Sequence, residues 1–214
     1  MTPAAVEIGS RRKAVWGSRA CAIVFATAVA FSTSCGNAVR QGTGGSFLIV
    51  SSMEAAPGAE PTDFGNTLLS DVITVVDDVP TFFNDVGRVT FRLGLKDPGA
   101  PTSPTTPGQN DAITINRYHV KFFRADGRNT PGVDVPYEFD GAFTLTVSGG
   151  DASAGFTLVR NAAKMEAPLA ALRFNGVVLT TIAEVTFYGA DQTGHEVSAT
   201  ARITIDFANF GDPS

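Results

Sequence analysis

The chain has 214 residues, of which 17% are charged, 22 are Gly and 12 are Pro. This length suits one domain with its own hydrophobic core, and the composition favours strands and turns over long helices. The formal net charge is −5, and residues 35–214 alone carry 12 basic and 20 acidic residues, a net charge of −8. Because phosphate binding depends on clustered Lys and Arg, the sequence predicts no nucleic-acid partner.

The first 34 residues have the composition of an export signal. Basic residues 11–13 precede residues 20–31, which are apolar except for Thr27. Positive charge followed by a short apolar run is the secretory pattern, whereas a membrane-spanning helix needs about 20 apolar residues. We therefore predict that residues 1–34 are a signal peptide that is removed. The alternative is a permanent single-pass anchor.

The end of this signal carries a recognisable cleavage motif. Residues 32–36 are Ser-Thr-Ser-Cys-Gly, and this segment resembles the lipobox of bacterial lipoproteins, in which cleavage occurs before a diacylated Cys. It differs from that family at Ser32, where Leu is usual. The resemblance implies that Cys35 becomes the lipid-bearing N-terminus and anchors the protein to a membrane of the cell envelope. Since Gly36 rather than Asp follows, it also implies the outer membrane in a host with two membranes. The alternative is ordinary cleavage that leaves Cys35 as a free thiol.

Two further features concern export and the redox state. Ser10-Arg11-Arg12 resembles a twin-arginine signal, but we expect the general secretory route because Ala14 and Val15 stand where that family prefers bulkier residues. Cys21 lies in the apolar run and leaves with the signal. The processed chain then has one cysteine and no internal disulfide, so its stability must come from core packing and strand pairing.

The processed chain is predicted to begin with a flexible tether over residues 35–46, since GNAVRQGTGGS is polar and rich in Gly. From residue 47 onward, apolar residues recur with a period of two, which places one face of a strand toward a core. The predicted strands cover residues 47–51, 72–76, 89–95, 112–124, 143–147, 156–159, 183–188 and 197–207.

The connections between these strands also have sequence signatures. A change of phase near Arg117 predicts a β-bulge. Asp126-Gly127 and residues 191–194 predict tight hairpin turns. Residues 97–111 are rich in Pro and Thr, which predicts an exposed loop. Residues 161–172 favour a helix, limited by Pro168 to a turn or two.

The C-terminal segment EVTFYGADQTGHEVSATARITIDF resembles the last hairpin of bacterial immunoglobulin-like and fibronectin-type modules, with His195 where such modules often have Asn. The resemblance implies an all-β fold over residues 47–214: an immunoglobulin-like antiparallel β-sandwich of about 7–9 strands. It transfers no functional residue, because fold analogy does not supply function.

Catalytic and metal motifs are weak in this sequence. His195-Glu196 begins like a zinc-protease motif, but that motif needs a helix and a second His where Ala199 stands. No G-x-S-x-G elbow is present. We therefore expect a protein that is not an enzyme and has no cofactor. Acidic loop residues favour calcium as the one ionic hypothesis, with candidate ligands Asp126, Asn129 and Asp134. The alternative is that these are ordinary turn residues.

Phe82 and Phe83 are the candidate binding residues, because two adjacent rings in a loop cannot both point inward easily. They form either a partner contact or a plug over the end of the sandwich. We expect a cell-envelope binding or structural module whose partner is an envelope protein or a glycan. One alternative is an envelope hydrolase that uses the loop carboxylates Asp134, Glu138 and Asp140. Another is a subunit that assembles by strand addition.

Overall fold

The computed structural model describes residues 44–211, and this part of the chain is all-β. The predicted signal peptide, the predicted lipid site at Cys35 and most of the predicted tether lie outside the described residues. The strands are β1 (Ser46–Ala56), β2 (Thr67–Asp71), β3 (Thr74–Val76), β4 (Val79–Thr81), β5 (Asp85–Leu95), β6 (Gly99–Ala100), β7 (Ser103–Pro104), β8 (Ile113–Phe123), β9 (Phe139–Val147), β10 (Ala152–Val159), β11 (Leu179–Asp191) and β12 (Glu196–Ala208). The helical segments are the 3₁₀ turns η1 (Gln109–Asp111) and η2 (Leu169–Phe174) and the short helix α1 (Asn161–Lys164).

Eight of these strands form two sheets. One sheet has the order β1-β5-β10, and the other has the order β2-β12-β11-β8-β9. Neighbouring strands are antiparallel except for β2 and β12, which are parallel. The short strands pair as two separate hairpins, β3 with β4 and β6 with β7. The predicted all-β class is confirmed, and the eight sheet strands lie within the predicted number.

The core lies between the inner faces of the two sheets. Phe91 of β5 meets Phe187 of β11 edge to face, with ring centroids 5.0 Å apart. The hydroxyl of Tyr118 on β8 donates to the carbonyl oxygen of Thr157 on β10 at 3.1 Å. Burying a large apolar side chain of this kind contributes about 1.5–3 kcal/mol. The alternation predicted for the last strand is confirmed, since Ile203, Ile205 and Phe207 are all buried.

The predicted bulge is confirmed. The register of β8 shifts between Ile115 and Arg117 against both of its neighbours. On the neighbouring strand, Gly189 lies so close to β8 that an added Cβ would be 2.3 Å from the carbonyl oxygen of Thr114. Only glycine therefore fits opposite the bulge.

The hairpin predicted over residues 191–194 is also confirmed, because β11 and β12 pair antiparallel on either side of it. One carboxylate closes this turn: Asp191 Oδ1 accepts from the backbone and hydroxyl of Thr193 at 2.9 and 2.7 Å and from the backbone N–H of His195 at 2.9 Å. The Asp191 carboxylate therefore closes the turn through residues no more than four positions away, and the Gln192 side chain adds longer contacts to Ala112 and Thr114 at 3.5 and 3.4 Å.

Two sequence-based expectations need correction. Asp126-Gly127 does form a turn, but it belongs to the long connection of residues 124–138 between β8 and β9 and not to a tight hairpin. The strand predicted over residues 72–76 is shorter than expected, because β2 ends at Asp71 and β3 begins only at Thr74. In both places the local pattern was present, but it did not determine the path of the chain.

The connections gather at two ends of the sandwich. The entry end, where the described chain begins, comprises residues 44–45, 96–112, 148–151 and 192–195. The distal end, opposite to it along the strands, comprises residues 57–66, 72–84, 124–138, 160–178 and 209–211. The longer connections of the distal end include the β3–β4 hairpin and the segment with α1 and η2.

Candidate functional site

The distal end carries most of the large exposed hydrophobic side chains of residues 44–211. Twelve large hydrophobic side chains are exposed, and nine of them lie in distal connections. Only Phe47 and Ile49, both near the start of β1, lie toward the entry end. Single exposed apolar residues are ordinary, but a concentration at one place indicates a contact surface. The nine are Val75, Val76, Val79, Val133, Tyr137, Met165, Phe174, Val177 and Val178.

The β3–β4 hairpin presents the first group of these side chains. Its two central residues, Asp77 and Asp78, both have positive φ, 50° and 63°. Such a turn matches the twist of a hairpin, and Asp tolerates the left-handed region better than most residues. Val76 and Val79 flank the turn on either side and are exposed. The tip of the hairpin therefore carries an exposed valine on each strand.

A buried ion pair fixes the second group, on residues 160–178. Lys164 Nζ donates to Asp85 Oδ1 at 2.8 Å, and the two side chains are 2% and 0% exposed. Asp85 also accepts from the Ser70 hydroxyl at 2.6 Å and from the backbone N–H of Gly58 at 2.9 Å. Burial raises the pKa of the Asp85 carboxyl, and the attraction of Lys164 lowers it only in part. This cluster joins α1 to β5, to β2 and to the loop after β1.

Arg173 continues the same attachment. Its guanidinium donates to the carbonyl oxygen of Lys164 at 2.7 Å and lies over the ring of Phe82, 4.5 Å from the centroid. Its own carbonyl oxygen accepts from Asn209 at 2.9 Å. The next residue, Phe174, is 90% exposed. The contacts of Arg173 therefore fix the position of this segment, and Phe174 is nevertheless almost fully exposed to solvent.

The structure places the two predicted phenylalanines inside this end. Phe82 and Phe83 are both half-buried. The guanidinium of Arg173 covers the ring of Phe82. Phe83 packs so closely on Gly58 that a Cβ built on Gly58 would lie 2.4 Å from the Cβ of Phe83. Their surroundings favour the plug over the direct contact, and a partner contact through their exposed parts stays a prediction.

The three calcium candidates lie in the connection between β8 and β9, and each is already engaged. Asp126 binds the guanidinium of Arg124 through both carboxylate oxygens at 3.1 and 2.6 Å, and Arg128 also contacts it. These hydrogen bonds hold the pKa of Asp126 well below its usual range. Asn129 and Asp134 accept from backbone N–H groups at 2.6 and 3.2 Å. Calcium binding here stays a hypothesis that must compete with these bonds.

The carboxylates of the hydrolase alternative fall into two places. Glu138 and Asp140 flank His119, at 3.7 and 3.4 Å from its ring nitrogens, and Asp140 also meets Arg117 at 3.3 Å. Asp134 instead caps its own loop. Within residues 44–211, no group of three or more His, Cys, Asp or Glu side chains is placed to hold a metal ion.

Sequence reasoning missed the buried pair of Lys164 and Asp85. Asp85 lies four residues before the strand predicted over residues 89–95, and Lys164 is the only basic residue in the apolar segment NAAKMEAPLAAL. A lone lysine among apolar residues was a possible signal, because a buried charge requires a partner. Its partner is 79 residues away, and no local pattern identifies it.

Comparison with protein-family models, with curated proteins and with solved structures gives no match. Among residues 44–211, no helix has the length and apolar character needed to cross a bilayer. The fold and the distal end define a class: an all-β sandwich with an apolar surface at one end.

Proposed function

We propose that this protein is an exported lipoprotein of the bacterial cell envelope, anchored through Cys35, and that it binds a partner with its distal end. The observation that carries this proposal is the placement of nine exposed apolar side chains in the distal connections, opposite to the end where the described chain begins. Such a gathering of exposed apolar side chains offers a contact surface to a partner in the envelope.

Cys35 lies nine positions before Gly44, the first described residue. Strand β12 runs from the entry end to the distal end, and its 13 residues span about 40 Å at the usual rise per residue. The two ends of the sandwich are therefore separate surfaces, and a partner bound at the distal end does not contact the entry end.

We also propose that the sandwich belongs to the immunoglobulin-like type. In immunoglobulin-like domains, a sheet containing the last two strands packs on a second sheet of early and middle strands. The order β2-β12-β11-β8-β9 facing β1-β5-β10 agrees with that arrangement. The contact between Phe91 and Phe187 joins the middle strands of the two sheets, which supports the proposal because the disulfide of antibody domains also joins one sheet to the other. Such domains commonly present loops at one end for binding.

The anchor is tested in the native host with the full chain and a Cys35→Ser variant. We expect the processed wild-type protein to begin at an acylated Cys35 by intact-mass analysis and to sediment with membranes. The variant loses the acyl mass and the membrane association. A full-length chain without acyl groups in the cytosol would contradict the proposal.

Binding of a partner by the distal end is tested with a photo-crosslinking phenylalanine analogue at Phe174. The matched control places the same analogue at Phe47, which is also an exposed aromatic residue, 42% exposed, but lies toward the entry end. We expect a discrete adduct in intact cells from position 174 and not from position 47. Equal adducts from both positions, or none from position 174, would refute docking by the distal end.

A further inference from the structure

At the distal end, the basic side chains have partners, whereas several acidic side chains form no salt bridge. Arg124 and Arg128 bind Asp126, and Lys164 binds Asp85. Arg160 and Arg173 lie over the rings of Phe139 and Phe82. Five exposed carboxylates of the same connections form no salt bridge within the described residues. They are Glu60, Asp63, Asp77, Asp78 and Glu166.

Three of these acids adjoin the exposed apolar side chains. Asp77 and Asp78 stand between Val76 and Val79 at the tip of the hairpin, and Glu166 follows Met165. Both elements therefore combine exposed apolar groups with unpaired negative charge. Protein interfaces commonly have this composition, an apolar centre with a polar rim.

We propose that the partner is a protein whose contact surface has an apolar centre bordered by Lys and Arg. This inference depends on the proposed function, because it names the chemistry of the partner that the distal end binds. Complementary rim charges steer association and select among partners of similar shape. An apolar surface without positive charge would leave the acids of the distal end unpaired beside it.

The same acids argue against other occupants. Anionic lipid headgroups repel a carboxylate rim, so insertion of the distal end into a bilayer is disfavoured. A second copy docked through the same end would bring like charges together, which costs binding energy. The buried attachment of α1 and η2 holds the surface in place before binding, which favours a preformed protein contact.

The experiment combines the photo-crosslinker at Phe174 with neutralised acids in the full chain. The test variant carries Asp77→Asn, Asp78→Asn and Glu166→Gln, because Asn retains the tolerance for positive φ that the turn requires. The control carries Asp97→Asn, Asp151→Asn and Glu196→Gln, three exposed acids near the entry end, which change the net charge equally. Adducts are identified by mass spectrometry.

We expect a protein adduct whose yield falls roughly tenfold in the test variant and is unchanged in the control. The identified protein should carry Lys or Arg within the crosslinked surface. An adduct of the same yield in both variants would overturn the basic rim while leaving docking by the distal end intact. A lipid adduct, or a dimer of this chain, would overturn the protein partner. Absence of any adduct at position 174 would refute the proposed function as well.

Discussion

The two ends of the sandwich are closed in different ways. At the entry end, Asp191 satisfies the turn between β11 and β12 through residues no more than four positions away. At the distal end, Asp85 and Lys164 meet across 79 residues, and Arg173 and Asn209 join further segments to them. This difference shows that the side chains of a short loop can supply the hydrogen bonds that hold it. Long connections need tertiary contacts, and those contacts can hold apolar groups in solvent.

The sharpest test of this contrast removes the buried cation. Lys164→Met leaves the Asp85 carboxylate buried without a charged partner, and breaking a buried pair in this way costs about 3–5 kcal/mol. The matched control is Arg202→Met, which breaks the exposed pair of Arg202 with Glu184, 2.6 Å apart, and is expected to cost less than about 1 kcal/mol. Urea unfolding measures both free energies. Equal costs would show that the distal end does not depend on the buried pair.

The entry end is tested through Asp191. Burial alone would raise the pKa of this carboxyl, but hydrogen bonds from Thr193 and His195 outweigh burial and lower it to about 2. We expect Asp191→Ala to cost about 2 kcal/mol of unfolding free energy at neutral pH. Because the folded pKa is depressed, this contribution is present above about pH 4. It is lost as the pH falls toward 2, so the difference between variant and wild type should shrink over that range. Urea unfolding from pH 6 to pH 2 measures it, and a constant difference would contradict the assignment.

The exposed apolar surface predicts a variant with little effect on folding. Phe174→Ser is expected to change the unfolding free energy by no more than about 0.5 kcal/mol, because the side chain is 90% exposed. Leu169→Ala, in the same 3₁₀ turn but fully buried, is expected to cost about 2–5 kcal/mol. Thermal and urea unfolding compare the two. A large loss from Phe174→Ser would mean that this residue serves the fold rather than a contact.

The smallest expected effect is that of calcium. Both carboxylate oxygens of Asp126 are engaged by arginine, so we expect millimolar Ca²⁺ to leave the melting temperature unchanged. An equal concentration of Mg²⁺ is the control for ionic strength. A rise of several degrees with Ca²⁺ alone, absent in Asp126→Asn, would establish the site predicted from the sequence.

The fold was largely predictable, because strand alternation, the bulge and the β11–β12 hairpin are local patterns. Alternation identified Ile203 and Ile205 as buried, and the change of phase near Arg117 located the bulge. The path of long connections was not predictable, since the turn at Asp126 looks the same in a hairpin and in a long loop. The loop that holds Phe82 and Phe83 was identified from the sequence as a candidate binding segment, and it lies at the distal end. The ion pair of Lys164 and Asp85 was missed, because only the tertiary fold brings the two residues together. The exposure of Phe174 was missed as well, because it depends on which side chains cover its neighbours.

The parallel pairing of β2 with β12 has a practical consequence for work on this protein. Strand β12 ends beside Asp71, which accepts from the backbone N–H of Phe210 at 3.2 Å. An affinity tag or fluorescent protein fused after this residue would therefore emerge beside the surface proposed for docking and obstruct it. The connection of residues 97–111, on the opposite side of the molecule and largely exposed, is the better place for an inserted label.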